Sequence, residues 1–232
     1  IRGGKAMLIL HIDANSAYLS WTAAAMLKEG AAVDLRKVPA VIGGDEESRH
    51  GIVLAKSPAC KSLGIVTGES LFEARRKCPV LLVVPPDHDL YRRASDAMYG
   101  LLCEYSPVIQ RFSIDECFLD YTASERHFGD PVKTAEEIRE RIKTELGFTV
   151  NVGVSENKIL AKMASEFEKP DKVHTLWKSE VKTKMWPLPV RELFMVGKAA
   201  EQKLKKVNIN TIGDLATADP VYIRTLLKAH GT

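Results

Sequence analysis

The chain has 232 residues, of which 45% are hydrophobic and 27% charged, and its formal net charge at pH 7 is +3. This composition is typical of a folded globular protein and excludes a disordered chain, which would have fewer hydrophobic residues and a larger net charge. Apolar runs such as MLILHI and VLLVV are far shorter than the roughly 18 residues of a membrane span, and four cysteines without a CxxC pair argue against a zinc ribbon. We therefore expect a cytoplasmic protein with reduced cysteines and no membrane contact.

The first predicted strand is MLILHI, which ends at Asp13-Ala14-Asn15, where an alanine-rich helix begins. Short strands follow in KVPAVIGG and GIVLAK, and the second runs into a turn at Pro58 and a short helix. SLFEARRKC is predicted to be a helix that ends before Pro79. VLLVV is predicted to be a buried strand, since two prolines end it.

A long helix is predicted in DLYRRASDAMYGLLCEYS, because its apolar residues recur at helical spacing up to Pro107. QRFSI and CFLDY then indicate a β-hairpin with Asp115 and Glu116 in or at its turn. KTAEEIRERIKTELG is the next predicted helix. FTVNVGVS alternates as a half-buried strand, and its Ser155 is placed to cap the helix ENKILAKMASEFEK. This order predicts an α+β fold in which a mixed sheet carries helices on one face.

The last quarter of the chain differs in composition from the rest. Beyond about residue 175 the strands nearly vanish, and short helices are joined at Gly197 and around residues 208–211. Residues 175–232 contain 10 Lys and Arg against 5 Asp and Glu. This excess is compatible with contact to a phosphate backbone, and equally with a solvated lysine-rich helical surface. We interpret the segment as a small helical module.

Three carboxylates are candidates for a metal site. Asp13 ends the first strand, and Asp115 and Glu116 lie in the hairpin, so a mixed sheet could bring the three together at one edge. Oxygen donors without a neighbouring histidine or thiolate suit magnesium, and a two-metal site of this kind would carry out phosphoryl or nucleotidyl transfer. The alternative, which the Asp-Glu doublet alone favours, is a pair of solvated turn residues.

Four motifs, in this order and at these separations, resemble the Y-family, or lesion-bypass, DNA polymerases, the group that includes bacterial polymerases IV and V. They are HIDANSAYLSW, FSIDECFLD, VNVGVSENKILAKMASEFEKP and FMVGKAAEQKLKKVNINTIGDL, and the resemblance extends from about Met7 to about Ala218. It implies a DNA-directed DNA polymerase that acts in translesion synthesis and DNA repair. The implied domains are a mixed-sheet palm (residues 7–17 and 79–174), a small α/β fingers insertion (18–78) and a helix-hairpin-helix thumb (175–232).

The resemblance also implies a role for each matched residue. The ligands of two magnesium ions would be the side chains of Asp13, Asp115 and Glu116 and the backbone carbonyl of Ala14. The incoming nucleotide would be held by the turn formed by Asn15, Ser16 and Ala17. Tyr18 would lie under the sugar and exclude a 2′-hydroxyl, and Lys169 would reach the triphosphate. Without the family resemblance, we would interpret Tyr18 as an aromatic residue of the core and Lys169 as an ordinary lysine at a helix end.

Two positions depart from the family pattern. Many members have a tyrosine and, three residues later, an arginine that grip the phosphates, whereas SPACK has Pro58 and Lys61. Lysine supplies a positive charge but not the bidentate guanidinium group of arginine. Lys61 is therefore expected to contact the nucleotide phosphates, but to bind them more weakly than arginine would. In the thumb turn, Met195 stands where the first of two glycines is usual. The predicted DNA contacts that follow it are Val196, Gly197 and Lys198.

Members of this family normally continue past the thumb into a basic, β-rich little-finger domain and often a clamp-binding tail, and we expect both to be absent here. The expected partners are primer-template DNA, deoxynucleoside triphosphates and, through a C-terminal region not present in the sequence, a sliding clamp. One alternative is a catalytically weak DNA-binding or scaffold relative, which Pro58 and Met195 favour. Another is a palm-type nucleotide cyclase, but the helix-hairpin-helix resemblance argues against it.

Overall fold

The computed structural model describes residues 7–44 and 51–228, and the following elements lie within these ranges. The strands are β1 Ile9–Ala14, β2 Ala40–Gly43, β3 Val53–Lys56, β4 Leu82–Val84, β5 Ile109–Arg111, β6 Glu116–Asp120, β7 Val150–Ser155 and β8 Val173–Thr175. The helices are α1 Ala17–Lys28, α2 Pro58–Ser62, α3 Leu71–Lys77, α4 His88–Cys103, α5 Glu125–Phe128, α6 Pro131–Arg141, α7 Lys158–Ser165, α8 Lys198–Lys205, α9 Ile212–Thr217 and α10 Pro220–Leu227. Short turns of 3₁₀ or π geometry lie at Ile142–Leu146, Lys178–Glu180, Val181–Met185 and Val190–Glu192.

The larger sheet has the strand order β5-β6-β1-β7-β8. β1 is antiparallel to both β6 and β7, and β8 is parallel to β7, so the sheet is mixed, as predicted. The predicted hairpin is confirmed, because β5 pairs antiparallel with β6. All six residues of β1 are buried, and this central strand includes Asp13 and Ala14, where the sequence had predicted a break.

Side chains alternate across β1, so each face of the sheet receives every second residue. Leu10, Ile12 and Ala14 pack in one hydrophobic core with residues of α1, α4 and α6. The opposite face carries His11 and Asp13, and α7 crosses this face. The α+β class is confirmed, but the prediction that the helices lie on one face is wrong for α7.

Gly153 is the reason that α7 fits there. It lies opposite His11 on β7, and a Cβ atom at this position would lie 1.9 Å from the carbonyl oxygen of Ala161 in α7. Two uncharged heavy atoms cannot approach so closely, so only glycine allows the helix to lie directly on the strand. The cap of α7 also differs from the prediction. Asn157 accepts the hydrogen bond from the Leu160 amide, whereas the hydroxyl of buried Ser155 donates to the Leu176 carbonyl.

A smaller sheet, in the order β3-β2-β4, forms a second module. Its own core consists of Val41, Val53, Cys60, Ile65, Leu71, Ala74, Cys78 and Leu81. β4 is an edge strand whose Leu82 is exposed, so the prediction of a buried strand in VLLVV is wrong. Because β4 belongs to this sheet, the smaller sheet extends past the predicted fingers boundary at residue 78.

The C-terminal part is helical, as predicted, and contains α8, α9 and α10. It has a core of its own, formed by Val190, Leu204, Ile209, Ile223 and Leu227. The predicted fingers range 18–78 includes residues 45–50, and the predicted thumb range 175–232 includes residues 229–232; both segments lie outside the described residues. Among the helices that the structure describes, none combines the length and hydropathy that crossing a bilayer requires.

Candidate active site

The pairing of β1 with β6 brings two predicted ligands together. Asp13 and Glu116 are direct partners across the two strands, on the face that α7 covers. Asp13 is buried and Glu116 is half-buried. Asp115 precedes β6, and its carbonyl accepts a hydrogen bond of 3.0 Å from the Ala14 amide. The backbone of all four predicted metal-binding positions therefore meets at one end of the β1–β6 pair.

Each paired carboxylate is bonded to a lysine from α7 or from the loop after it. Lys169 Nζ donates to Asp13 Oδ2 at 2.6 Å and also lies 2.9 Å from Glu166 Oε2. Lys162 Nζ donates to Glu116 Oε2 at 2.6 Å. Lys169 was predicted from the family motif, whereas Lys162 was not. In the sequence, Lys162 is a lysine among the apolar residues of an amphipathic helix. This pattern gives no clear signal, because an exposed lysine at the edge of such a helix looks the same.

His11 was also missed by the sequence analysis. Its side chain is fully buried on β1, with Nε2 3.3 Å from Glu116 Oε2 and Nδ1 2.8 Å from Ser165 Oγ. Burial lowers the pKa of His11, so we assign a neutral ring. The Ser165 hydroxyl lies 2.8 Å from both His11 Nδ1 and the Lys162 carbonyl oxygen and can donate its one proton to only one of them, so a neutral ring that donates from Nε2 to Glu116 takes the Ser165 proton at Nδ1. A core histidine within a strand gives no sequence signal of such a contact.

The two carboxylates differ in their proton affinity. Burial raises the pKa of Asp13 to about 7, and the nearby Lys169 ammonium only partly opposes this effect. Burial also acts to raise the pKa of Glu116, but hydrogen bonds from His11 and Lys162 outweigh it and lower the value to about 2. Glu116 is therefore fully ionised at neutral pH, while ionised Asp13 is costly without a further cation.

The donor set fits a hard divalent cation. Among the described residues, Asp13 Oδ1 and Glu116 Oε1 form no hydrogen bond, so each carboxylate keeps one oxygen for a ligand. Carboxylate and carbonyl oxygens are the donors that magnesium prefers. The Asp115 carboxylate instead accepts from the Ser113 hydroxyl at 2.6 Å. Within the described part of the chain, no three His, Cys, Asp or Glu side chains are grouped closely enough to hold one ion.

The turn after β1 is only partly available to an anion. The Asn15 amide donates to the Thr149 carbonyl at 3.0 Å, so in this structure it is not free for a phosphate, and its predicted role in nucleotide binding stays a prediction. The amides of Ser16, the N-cap of α1, and Ala17, its first residue, donate to no group in the described residues. Ser16 is exposed and adopts a left-handed conformation with φ of 47°. Two amides at the start of α1 are thus available to an anion, as helix N-termini commonly are.

The side chain of Asn15 has a structural role that the sequence did not reveal. Its Nδ2 donates to Asn151 Oδ1 at 3.1 Å, and its Oδ1 accepts from the Asp171 amide at 3.0 Å. Asn151 is fully buried on β7 and donates to the carbonyls of Ser165 and Glu168. These bonds fix the loop that carries Lys169 relative to β1.

Tyr18 and Lys61 have very different surroundings. Tyr18 is half-buried on α1 and stacks on Tyr91, with ring centroids 4.3 Å apart and an interplanar angle of 6°. Stacking fixes the orientation of the Tyr18 ring close to the Asn15–Ala17 turn. Lys61 is exposed on α2, in the smaller module, and its ammonium forms no hydrogen bond or ion pair with any residue that the structure describes. The structure does not bring Lys61 to the carboxylates.

The predicted DNA contacts lie at the start of α8. Gly197 is the N-cap of this helix, with φ of −80°, and Lys198 is exposed on its first turn. Val196 is half-buried and its amide donates to the Leu193 carbonyl. The residue that needs glycine-like freedom is Met195, whose φ is 75°. Its side chain is 84% exposed, so the turn presents a methionine to solvent.

Two family models match this chain. Residues 12–166 match the impB/mucB/samB family, and residues 178–209 match the HHH motif of the IMS family. The first match includes all three carboxylates and Lys162; the second includes the turn at Met195.

Individual relatives cover almost all of this chain. It is 58% identical over 97% of its length to "DNA polymerase IV" of Clostridium acetobutylicum, and 40% identical over 98% to "DNA polymerase IV 1" of Bacillus subtilis. The chain spans only 56% and 53% of these two relatives. The fold is similar to "Crystal Structure of DinB from Sulfolobus solfataricus", with a TM-score of 0.84 at 24% identity, covering 97% of this chain and 64% of that one. "Insertion ternary complex of Dbh DNA polymerase" gives a TM-score of 0.83 at 23% identity, covering 96% and 64%. The chain therefore belongs to the impB/mucB/samB family of Y-family DNA polymerases.

Proposed function

We propose that this chain carries the catalytic centre of a template-directed DNA polymerase that acts in translesion synthesis. The observation that carries this proposal is the pairing of Asp13 with Glu116 across β1 and β6, with Asp115 bonded to Ala14 beside them. In the reaction, the primer 3′-hydroxyl attacks the α-phosphate of a deoxynucleoside triphosphate and pyrophosphate leaves. A cytoplasmic location is part of the proposal.

The carboxylates would hold two magnesium ions, together with the Ala14 carbonyl. When bound, these ions would lower the pKa of the attacking hydroxyl and neutralise charge on the reacting phosphate. The free oxygens of Asp13 and Glu116 support this role, and Asp115 would turn from Ser113 to become the third carboxylate ligand. The raised pKa of Asp13 has the same implication, because a divalent cation would offset the cost of its burial as an anion.

The chain's own residues would bind and orient the nucleotide. The amides of Ser16 and Ala17 would donate to phosphate oxygens at the start of α1. Lys169 would leave Asp13 and bind the triphosphate instead. There its positive charge would offset the negative charge that develops on the phosphate during transfer. The Tyr18 ring, fixed by Tyr91, would lie under the sugar and exclude a 2′-hydroxyl. Lys61 would reach the nucleotide only if the smaller module moves towards the site.

The thumb turn would contact the DNA backbone. Val196, Gly197 and Lys198 lead into α8, and the amides of Gly197 and Lys198 together with the lysine side chain would approach a phosphate without reading bases. Primer-template DNA and deoxynucleotides are the proposed substrates. A sliding clamp is proposed as a further partner, and this part of the proposal rests on the family resemblance alone.

Primer extension tests this function. The chain, in excess over a primer-template, is mixed with magnesium and deoxynucleotides, and extension is compared with that of an Asp115→Ala, Glu116→Ala variant. We expect the variant to lose at least about a hundredfold in rate, the scale for removing electrostatic stabilisation of a transition state. Asp120→Asn is the matched control, because Asp120 lies on the same strand as Glu116 but at its other end.

Two results would contradict the proposal. Undiminished extension by the double variant would show that these carboxylates are not the catalytic ligands. Binding of DNA without any extension by the unmodified chain would instead favour the catalytically weak scaffold.

A further inference from the structure

The carboxylate of Glu116 is held from one side only. Both Lys162 Nζ, at 2.6 Å, and His11 Nε2, at 3.3 Å, contact the same oxygen, Oε2. Among the described residues the other oxygen, Oε1, forms no hydrogen bond. A carboxylate fixed in this way presents its other oxygen in one direction. Groups that hydrogen-bond to the ligands of metal ions commonly orient those ligands in the same manner.

Lys162 is itself held by aromatic rings. It is 7% exposed, and its ammonium lies 5.4 Å from the ring centroid of Phe112 and 5.2 Å from that of Phe194. The two rings are 6.0 Å apart and come from different parts of the fold, the β5–β6 hairpin and the segment before α8. A buried ammonium is costly unless it is paired, so the rings and Glu116 together fix its position.

Phe194 connects this lysine to the thumb. Its amide donates to Met163 Sδ at 3.3 Å, which anchors it to α7. It also lies two residues before Val196, the first of the proposed DNA contacts. A displacement of the thumb turn would therefore move one of the two rings that hold the ammonium on Glu116.

We propose that Lys162 is a positioning residue for Glu116, and that Phe194 holds Lys162 in place and so links the thumb turn to the metal ligand. This inference rests on the proposed function, in which Glu116 is a ligand of a divalent cation. It assigns Lys162 an effect on metal binding that exists before DNA or nucleotide is present. The loss of Lys162 leaves Glu116 Oε2 with His11 alone, at 3.3 Å, so that the carboxylate is held less firmly in the position that a cation requires.

The test is Mn²⁺ binding to the 232-residue chain, measured by electron paramagnetic resonance without DNA or nucleotide. We expect Lys162→Met to weaken Mn²⁺ binding about tenfold. This is the lower end of the loss of metal affinity that follows when a group hydrogen-bonded to a metal ligand is removed. Lys162→Arg should restore most of the affinity, because its guanidinium can also donate to Oε2. Lys158→Met is the matched control, since Lys158 also lies on α7 over a ring, that of Phe118, but bonds Gln110.

The outcomes separate this proposal from the proposed function. If Glu116→Gln binds Mn²⁺ as tightly as the unmodified chain, Glu116 is not a ligand and both proposals are wrong. If Glu116→Gln weakens binding but Lys162→Met leaves it unchanged or tighter, only the positioning role is wrong. Thermal unfolding of each variant shows whether it is folded, and if Lys162→Met is not, Lys162→Gln, which removes the charge but keeps a polar end, takes its place.

The link to the thumb has its own test. Phe194→Ala removes one ring from the ammonium and should weaken Mn²⁺ binding roughly two- to fivefold, as expected for one cation–π contact. In the Lys162→Met background the same change should have no further effect, because the two act through one contact. Additive effects of the two substitutions would show that Phe194 does not act through Lys162.

Discussion

At the scale of single residues, Met195 is held in a conformation that suits glycine. Its φ of 75° places an L-residue in the left-handed region, where Cβ crowds the backbone at a cost of roughly 1–2 kcal/mol. The side chain is largely exposed and so recovers little of this cost by packing. The turn before α8 is therefore a locally strained segment at the proposed DNA contact.

We predict that Met195→Gly stabilises the chain by about 1 kcal/mol, because relief of strain exceeds the extra entropy of glycine in the unfolded state. Urea denaturation measures the change. Ala199→Gly is the matched control; Ala199 is an exposed residue of α8, where glycine should cost about 1 kcal/mol. A lower stability for Met195→Gly would show that the methionine makes a contribution that its exposure does not suggest.

The sequence predicted part of the candidate site and missed the residues behind it. Asp13, Glu116 and Lys169 were predicted, and the structure brings their side chains to one place; their roles remain predictions. Lys162 and His11 were missed because their contacts depend on how α7 packs on β1 and β6. Strand alternation and helical spacing assign such residues to a face, but they do not say which partner lies opposite.

At the scale of elements, α7 determines the geometry of the site. It carries Lys162 and Ser165 and leads to Lys169, and it packs against β1 and β7. Its distance from the sheet is set at Gly153, where an added Cβ would meet Ala161 O at 1.9 Å and Ser165 N at 2.6 Å. Both are backbone atoms, which cannot move away as a flexible side chain can.

We therefore predict that Gly153→Ala destabilises the chain by about 3 kcal/mol or more, at the upper end for overpacking a core. The displaced helix would also withdraw Lys162, and the following loop with Lys169, from the carboxylates, so Mn²⁺ binding should fall. Urea denaturation and Mn²⁺ titration measure the two effects. Gly100→Ala is the control, because nothing lies within 4 Å of a Cβ at that helical position, and it should be neutral or slightly stabilising. Equal stability of the two variants would contradict the role of Gly153.

The elements themselves were largely predictable, whereas their arrangement was less so. The β5–β6 hairpin, α4, α6 and β7 follow from apolar periodicity, which is a local property. β4 was misjudged because its short apolar run does not distinguish an edge strand from a buried one. Likewise, nothing local to α7 indicates that it lies on the opposite face from α1, α4 and α6, since that depends on Gly153 in another element.

At the scale of the whole molecule, α7 belongs to two cores. One of its faces packs on the large sheet, and Leu160, Met163 and Ala164 pack with Leu176, Met185 and Ile212. The last two of these lie in the C-terminal helical part. The family motifs predicted separate palm and thumb segments, but not this shared core, because it joins residues some 50 positions apart in sequence.

The shared core leads to a prediction about unfolding. If α7 is part of both modules, then neither can lose its packing while the other stays folded, and the chain should unfold in one cooperative transition. Two tryptophans report on the two sides: Trp21 is buried in the core of the large sheet, and Trp186 packs against the shared core. In a Trp177→Phe background, single-tryptophan variants that retain either residue should show the same urea midpoint by fluorescence.

A substitution in the shared core should act on both reporters. Ile212→Ala is expected to cost about 2–5 kcal/mol, the usual range for truncating a buried isoleucine, and to lower the midpoints of Trp21 and Trp186 together. Val221→Ala, at an exposed position of α10, is the control and should leave both unchanged. A shift seen only by Trp186 would mean that the thumb unfolds on its own. In that case Phe194 could leave Lys162 without disturbing the palm, and the proposed link between the thumb turn and Glu116 would operate as a local opening rather than through a rigid junction.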